Sequence, residues 1–354
     1  MSKQTTWPRW LPWRPEKAGA SERQRAEGAA TDQDSAPPAP RGNGGAAGGA
    51  GGPGARPAGA GGGSRPTPRT TPEARRPHPV FSDEALRRAW RAVRANGGAA
   101  GSDAIDLATF EARLDERLAA LRAELINGSY RPQRVMSFGI RKASGGVRPL
   151  VLWAVRDRVA QRAVYEWLEP QVEREFLDCS HGFRPGRSVD TAVSAVVAAR
   201  DEGLRWVMET DIRQCFDSID PALLIEMLRR RRLRGDVRWL LELWLTVPVM
   251  GADGQRRPVG VAQGNVLSPL LSNLYLHPFD EIVTGQGRRL VRYADDLVVL
   301  AKKRNEATAA QAEVAAALAK LRLEVKPEKT AVRSFDDGFK FLGVFFIRNE
   351  HYKV

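Results

Sequence analysis

A mixed α+β fold is predicted by this sequence on three observations. Helix-period and strand-like segments follow one another without the regular alternation of a doubly wound sheet. Hydrophobic residues make up 42% of the 354 positions, enough for a sizeable core. The large apolar residues are unevenly spread: between Arg14 and Pro79 there is no Ile, Leu, Val, Met, Phe, Trp or Tyr. Such a Gly/Ala/Pro-rich stretch cannot bury enough surface to offset its ordering entropy. Residues 1–79 are therefore expected to be a disordered basic tail, and 80–354 the folded domain. The tail holds 12 Lys+Arg against 6 Asp+Glu, so of the net charge of +13 the folded part keeps +7. That excess suits a polyanion, most often nucleic acid.

Several classes are excluded or disfavoured. Two cysteines, Cys179 and Cys215, rule out a disulfide scaffold and a four-cysteine zinc site. No run approaches the ~18–20 apolar residues of a membrane span, and the N-terminus lacks a basic region followed by an apolar core. The expectation is a cytoplasmic protein without a membrane partner. Trp7-Pro-Arg-Trp-Leu-Pro-Trp-Arg-Pro, at the start of the tail, fits an extension without a selected role, the alternative being a docking or base-stacking peptide.

Each element has a local reason. Ser82-Asp-Glu is a helix start with Leu86, Trp90 and Val93 on one face, and Gly97-Gly98 stops it. Phe110, Leu114, Leu118, Leu121 and Leu125 recur at helical steps and predict a helix over 107–126. Arg131 to Leu152 reads as a hairpin around Gly145-Gly146. Helices are expected from Asp157 to about Phe176, from Val189 to Arg200 and from Pro221 to Arg232. Arg205 to Ile212 is a buried strand. Ser268 is a good N-cap with Pro269 in first helical position, for a helix to His277. Arg289 to Lys302 is strand–turn–strand, Asn305 to Leu323 an alanine-rich helix, and Phe339 to Ile347 a final strand.

The chemistry centres on Leu290-Val-Arg-Tyr-Ala-Asp-Asp-Leu-Val-Val-Leu. A tight turn would set Asp295 and Asp296 at the end of a two-stranded ribbon. Like charges this close raise each other's pKa unless a cation is present, and hard divalent ions with oxygen ligands, Mg²⁺ first, fit such a site. An Asx-type turn chosen only for geometry is the plain alternative. Asp211, at the end of another apolar strand, supplies a further carboxylate, as two-metal phosphoryl transfer needs.

From about Arg94 to Arg348 the chain resembles bacterial reverse transcriptases of the group II intron type. Tyr293-Ala-Asp-Asp resembles their catalytic box and Asp211 through Asp217 their Asp-Xaa₄-Phe-Asp box. Gln263-Gly-Asn-Val-Leu-Ser-Pro, Ile140-Arg-Lys-Ala-Ser-Gly-Gly-Val-Arg-Pro-Leu, Val155-Arg-Asp-Arg-Val-Ala-Gln, Ser180-His-Gly-Phe-Arg-Pro-Gly-Arg-Ser, Pro327-Glu-Lys-Thr and Phe341-Leu-Gly complete eight collinear blocks. The resemblance implies a right-hand polymerase with fingers over about 80–204 and an antiparallel palm sheet packed on helices over about 205–354. It implies that Asp211 and Asp295 ligate two Mg²⁺ ions, with Mn²⁺ able to substitute, that the Ile212 carbonyl assists, and that Asp296 supports. Asp217 reads as structural. Phe216 would lie under the incoming sugar and reject a 2′-hydroxyl. Lys142 and Arg148 would bind the triphosphate, Gln263 the nascent pair. Lys329 would act as general acid toward pyrophosphate. Arg184, Arg187, Tyr293 and Gly264 would meet template and primer. The implied partners are an RNA template, a DNA or RNA primer and dNTPs.

Departures are also informative. Trp153 stands where the family usually has proline. Only eleven residues follow Gly343, where the family places a helical thumb; this predicts a thumb supplied by a partner, or a truncated remnant. With four His and two Cys, the zinc endonuclease of some intron enzymes is not expected, and Cys179 and His181 read as structural. The ending and Tyr275-Leu-His-Pro-Phe-Asp resemble the CRISPR-associated branch, in which the polymerase serves a spacer integrase. The rivals are an intron-encoded protein with a splicing or retromobility role, and an RNA-directed RNA polymerase, against which Phe216 argues.

Overall fold

The computed structural model describes residues 78–141, 147–250, 256–257, 260–261 and 264–354. Residues 1–77 of the expected 1–79 tail with its Trp-rich peptide, the Gly145-Gly146 turn, Lys142 and Gln263 lie outside the described residues, whereas His78 is buried and Pro79 opens a 3-10 turn (Pro79–Phe81), so the folded part begins two residues before the expected Val80. The mixed α/β architecture is the one expected. Among the described residues no helix is long and apolar enough to cross a membrane.

A helical layer comes first. The Ser82 hydroxyl accepts from the Ala85 N–H at 3.1 Å and caps α1 (Asp83–Asn96), with Asp83 and Glu84 in the first turn where the helix dipole favours them. Leu86, Ala89, Trp90 and Val93 bury the face that packs on α4 (Val155–Val172). The helix expected over 107–126 is two, α2 (Leu107–Ala112) and α3 (Leu114–Asn127). Arg113 breaks the ladder at φ −130°, ψ 43°, and its guanidinium holds Glu116 through bonds of 2.7 and 2.6 Å. The apolar period continues across this break, so periodicity alone reads one helix.

Strands β1 (Val135–Arg141) and β2 (Val147–Leu152) form the expected antiparallel hairpin, with Arg148 opposite Ile140. α4 follows, carrying Pro170 and ending two residues beyond it, short of the expected Phe176. Ser188 and Thr191 form a capping box that starts α5 (Val189–Asp201). β3 (Trp206–Asp211) leads into a short α6 (Cys215–Ser218) and then α7 (Pro221–Arg229), which stops before the expected Arg232. α8 (Gly235–Thr246), not expected from the sequence, buries Val237, Leu240, Leu241 and Trp244. The short β4 (Val249–Met250) and β5 (Arg256–Arg257) extend the first sheet in the order β2-β1-β4-β5.

α9 (Ser268–Gly285) runs beyond the expected His277 and carries Pro278 inside it. Ser268 is its first residue and not its cap, which is Leu267 and carries no side-chain cap bond; just ahead of it the Asn265 side chain accepts from the Leu267 N–H at 2.9 Å. β6 (Arg289–Tyr293) and β7 (Asp296–Ala301) form a hairpin closed by Ala294-Asp295, with Ala294 at φ +57°. α10 (Arg304–Ala319), β8 (Ala331–Ser334), β9 (Phe339–Phe341), β10 (Val344–Ile347) and β11 (Glu350–Lys353) complete the described chain. The single final strand expected over 339–347 folds back on itself at Leu342 and Gly343, whose φ values of +50° and +74° reverse the chain.

The central sheet is antiparallel in the order β6-β7-β3-β8. On one face Val207, Val291, Val298 and Leu300 meet Ala192, Val196 and Ala199 of α5, together with Phe335, Phe339 and Phe346. The Phe339 and Phe346 rings stack with centroids 5.0 Å apart. α10 packs on β3 and β7, and α9 on β6. Burying each of the Val, Leu and Phe side chains is worth about 1.5–3 kcal/mol, so the sheet is a stiff platform for whatever stands at its end.

Candidate active site

Register places the carboxylates. In the β3–β7 ladder Asp211 lies directly opposite Asp296, and in the β6–β7 ladder Tyr293 lies opposite the same residue. Residues two apart share a strand face, so Asp211 and Asp296 extend the face that carries Val207, Val298 and Leu300, at its open end. Asp295 sits in the turn, and its carbonyl accepts from the Ile212 N–H at 3.0 Å. One hairpin thus ties both carboxylate segments together.

The electrostatics are those of crowded acids. Burial, and then a hydrogen bond and charge from the Asp211 carboxyl, with Asp295 adding to it, push the Asp296 carboxyl up to about 7. The Lys329 ammonium forms an ion pair and hydrogen bond with Asp211, and that carboxylate raises the lysine in turn. Lys329 is placed there by a 3-10 turn (Pro327–Lys329). Two bonds fix this turn: Lys326 N–H to the Asp211 carbonyl at 2.9 Å, and Thr210 Oγ1 to Thr330 Oγ1 at 2.7 Å. The site opens into a cleft of about 440 Å³ whose far wall is Lys340, Phe341, Leu342 and Gly343. Among the described residues no three His, Cys, Asp or Glu side chains are gathered as a metal cage.

The other expected site residues separate into groups. The half-buried Phe216 follows Asp211 on α6, and its ring meets Phe183 edge-on at 6.1 Å and 72°. Its carbonyl accepts from the Val261 N–H at 2.9 Å. Gly260 lies so close behind α6 that a Cβ there would meet the Phe216 carbonyl at 2.5 Å. Gly264 stands exposed at φ +109°, a conformation that favours glycine.

Arg184 is not brought to the site. Its side chain is 4% exposed. It donates to Glu173 and to the carbonyls of Phe176, Leu177 and Ser180, which uses its donors and leaves none for a phosphate. Arg187 pairs with Asp178 at 2.6 Å and is part-exposed. His181, with Nδ1 2.9 Å from Thr191 Oγ1, is lowered to about 4 by burial and stays neutral. Burial likewise pushes the Cys215 thiol up to about 12.

A second group of residues bears on the same turn and was not singled out from sequence. Arg292 of β6 is fully buried and holds Asp280 of α9 bidentately at 2.7 and 2.6 Å. Its remaining donors reach Asn273, Ser180 and the carbonyl of Ala294 at 3.1, 2.8 and 3.1 Å. The guanidinium therefore grips the turn that carries Asp295. Its trace in the sequence is a charged residue inside the apolar run Leu290-Val-Arg-Tyr.

Residues 140–346 match the family model for reverse transcriptase (RNA-dependent DNA polymerase). Protein YkfC of Escherichia coli (strain K12) is 34% identical over 313 residues, covering 76% of this chain and 82% of that one. The group II intron-encoded protein LtrA of Lactococcus lactis subsp. cremoris is 34% identical over 197 residues, 55% of this chain and 33% of LtrA. A solved partial Cas6-RT-Cas1–Cas2 complex covers 66% of this chain and 39% of that one, at 24% identity and a TM-score of 0.40, too slight a likeness to add to these matches. With more than half of its length under one family model, the chain belongs to the reverse transcriptase family of RNA-dependent DNA polymerases.

Proposed function

We propose that this RNA-directed DNA polymerase carries out its chemistry at the open end of the β3–β7 ladder, where Asp211 faces Asp296 beneath Lys329. That juxtaposition supports the reading most strongly. A primer 3′-oxygen would attack the α-phosphate of a dNTP and release pyrophosphate.

The residues suit divalent metal ions. The donors are hard carboxylate oxygens, and their mutual repulsion, visible in the raised Asp296, is what a cation relieves. Mg²⁺ is commonly held by one or two carboxylates plus substrate phosphates, which these donors could supply with a bound triphosphate. Asp211 and Asp295 would hold two Mg²⁺ ions, or Mn²⁺ in their place, with the Ile212 carbonyl assisting and Asp296 in support. When bound, such ions neutralise charge on the attacking and leaving oxygens. Lys329, held protonated by Asp211, would turn to the leaving pyrophosphate and give it a proton. Phe216 would close the floor under the sugar against a 2′-hydroxyl. Lys142 and Arg148 would bind the triphosphate, and Gln263 and Gly264 the nascent pair. Tyr293 and Arg187 would face template and primer.

The biological setting would follow from the partner: a spacer integrase for the CRISPR reading, ribozyme RNA for the intron reading. Tyr275 to Asp280, part of the CRISPR resemblance, are buried along α9, so a partner would have to be met elsewhere. Primer extension on an RNA template with dNTPs tests the function. Wild type should extend with Mg²⁺ or Mn²⁺ and stop on chelation, and Asp211→Asn should lose extension. Undiminished extension by Asp211→Asn would overturn the site.

A further inference from the structure

Phe183 is placed at a cost. It is a large hydrophobic residue 47% exposed to solvent, and its backbone stands at φ +59°, where a residue with a Cβ is strained. Both neighbours are locked. The His181 N–H donates to the Arg292 carbonyl at 2.8 Å, and the Gly182 carbonyl accepts from Asn273 Nδ2 at 2.8 Å. Gly182 is pressed so closely on the Asp295-bearing turn that a Cβ would meet the Ala294 nitrogen at 2.4 Å. On the other side Arg184 is tied to Glu173 and three carbonyls. Folding thus fixes the loop on either side of Phe183 and leaves the ring projecting. A glycine would meet the backbone demand without strain, and a polar residue would meet the exposure. Neither would supply the edge-to-face pair that this ring makes with Phe216.

We infer that Phe183 is a positioning residue for nucleotide selection: its ring braces Phe216 and keeps that ring from turning out of the path of a 2′-hydroxyl. This rests on the reading of Phe216 as the sugar gate. The backbone of Phe216 is already held from behind by Gly260 and Val261. What those contacts leave free is rotation of the side chain, and an edge-on aromatic partner opposes it. Because Gly182 is packed against the catalytic turn, the brace and the carboxylates share one rigid frame. A gate that swings would reject ribonucleotides poorly even with its aromatic ring intact.

The test is the ratio of kcat/KM for a dNTP over the matching NTP, measured in primer extension, since a general loss of fold or rate cancels from it. Phe216→Ala should lower the ratio roughly tenfold to a hundredfold. Phe183→Ala should lower it about three- to tenfold, the size of an aromatic pair contribution. The double variant should be no lower than Phe216→Ala alone, because the brace acts through the gate. Phe183→Tyr, which keeps the ring, should retain the wild-type ratio. If Phe216→Ala relaxes selection and Phe183→Ala does not, or if the two losses multiply, the brace is overturned while the gate stands. If Phe216→Ala itself leaves the ratio unchanged, the gate reading fails and the brace with it.

Discussion

Two carboxyl-bearing pairs meet at the β6–β7 hairpin, one through Arg292 of β6 and the other through Asp296 of β7, and are built on opposite terms. Arg292 and Asp280 are side chains of opposite charge, 0% and 1% exposed, with two short bonds between them and further bonds to Ser180, Asn273 and the Ala294 carbonyl. Asp211 and Asp296 are like charges facing each other across a ladder, partly open to solvent, with Lys329 as the counter-charge the structure places on them. The first pair is satisfied within the fold and gains nothing from a ligand. The second is left under-compensated, and a cation and a triphosphate would complete it. Buried charge of the first kind holds the turn; crowded charge of the second kind is what the turn presents.

Breaking the satisfied pair should have the largest effect on stability. Arg292→Met leaves Asp280 buried without its partner, which typically costs about 3–5 kcal/mol. Denaturant unfolding measures this, and Arg292→Met combined with Asp280→Leu should recover much of the loss. If the double variant is as unstable as the single, the cost lies in packing and not in a stranded charge.

At the crowded pair the effect should fall on rate. Lys329→Ala removes the proposed proton donor and should slow single-turnover extension about a hundredfold, with stability little changed. A decrease of less than threefold would remove Lys329 from the chemistry. Smallest of all, Arg187→Ala breaks an ion pair whose Asp178 side chain is 98% exposed, so unfolding should shift by less than about 0.5 kcal/mol. If Arg187 also meets template phosphate, extension by this variant should become more sensitive to salt.

What the sequence revealed follows the same division. The β6–β7 hairpin was legible because two apolar runs flank Ala294-Asp295-Asp296, although the turn itself is Ala294-Asp295 and Asp296 opens β7; Asp211 was legible because it ends a run of strand formers. The break at Arg113 was not, since the apolar period runs through it, nor was the reversal at Leu342-Gly343, where a lone glycine sits inside an otherwise continuous run of strand formers. α8 went unread although Val237, Leu240, Leu241 and Trp244 mark its buried face. Arg184 read as a phosphate ligand because its charge was visible and its partner, Glu173 on a separate segment, was not. Arg292 was overlooked for the converse reason: an arginine among apolar residues discloses its burial only when Asp280 is brought against it. Charges that face solvent or substrate are read from local pattern, whereas those that face each other need the fold.

The comparison is tested most directly by Asp296→Asn, examined for stability in metal-free buffer and for extension with Mg²⁺. The folded protein holds the Asp296 proton up to about pH 7, well above an ordinary carboxyl. The stability it contributes is therefore present in acid and is lost as pH rises from about 4 toward 7. Removing that charge should stabilise the protein at pH 8 by about 1–4 kcal/mol, the upper figure being about three pH units at about 1.4 kcal/mol each, flatten this part of the pH profile and abolish extension. A variant that extends primers normally, or one that is less stable than wild type at pH 8 with the pH profile unchanged, would contradict the account.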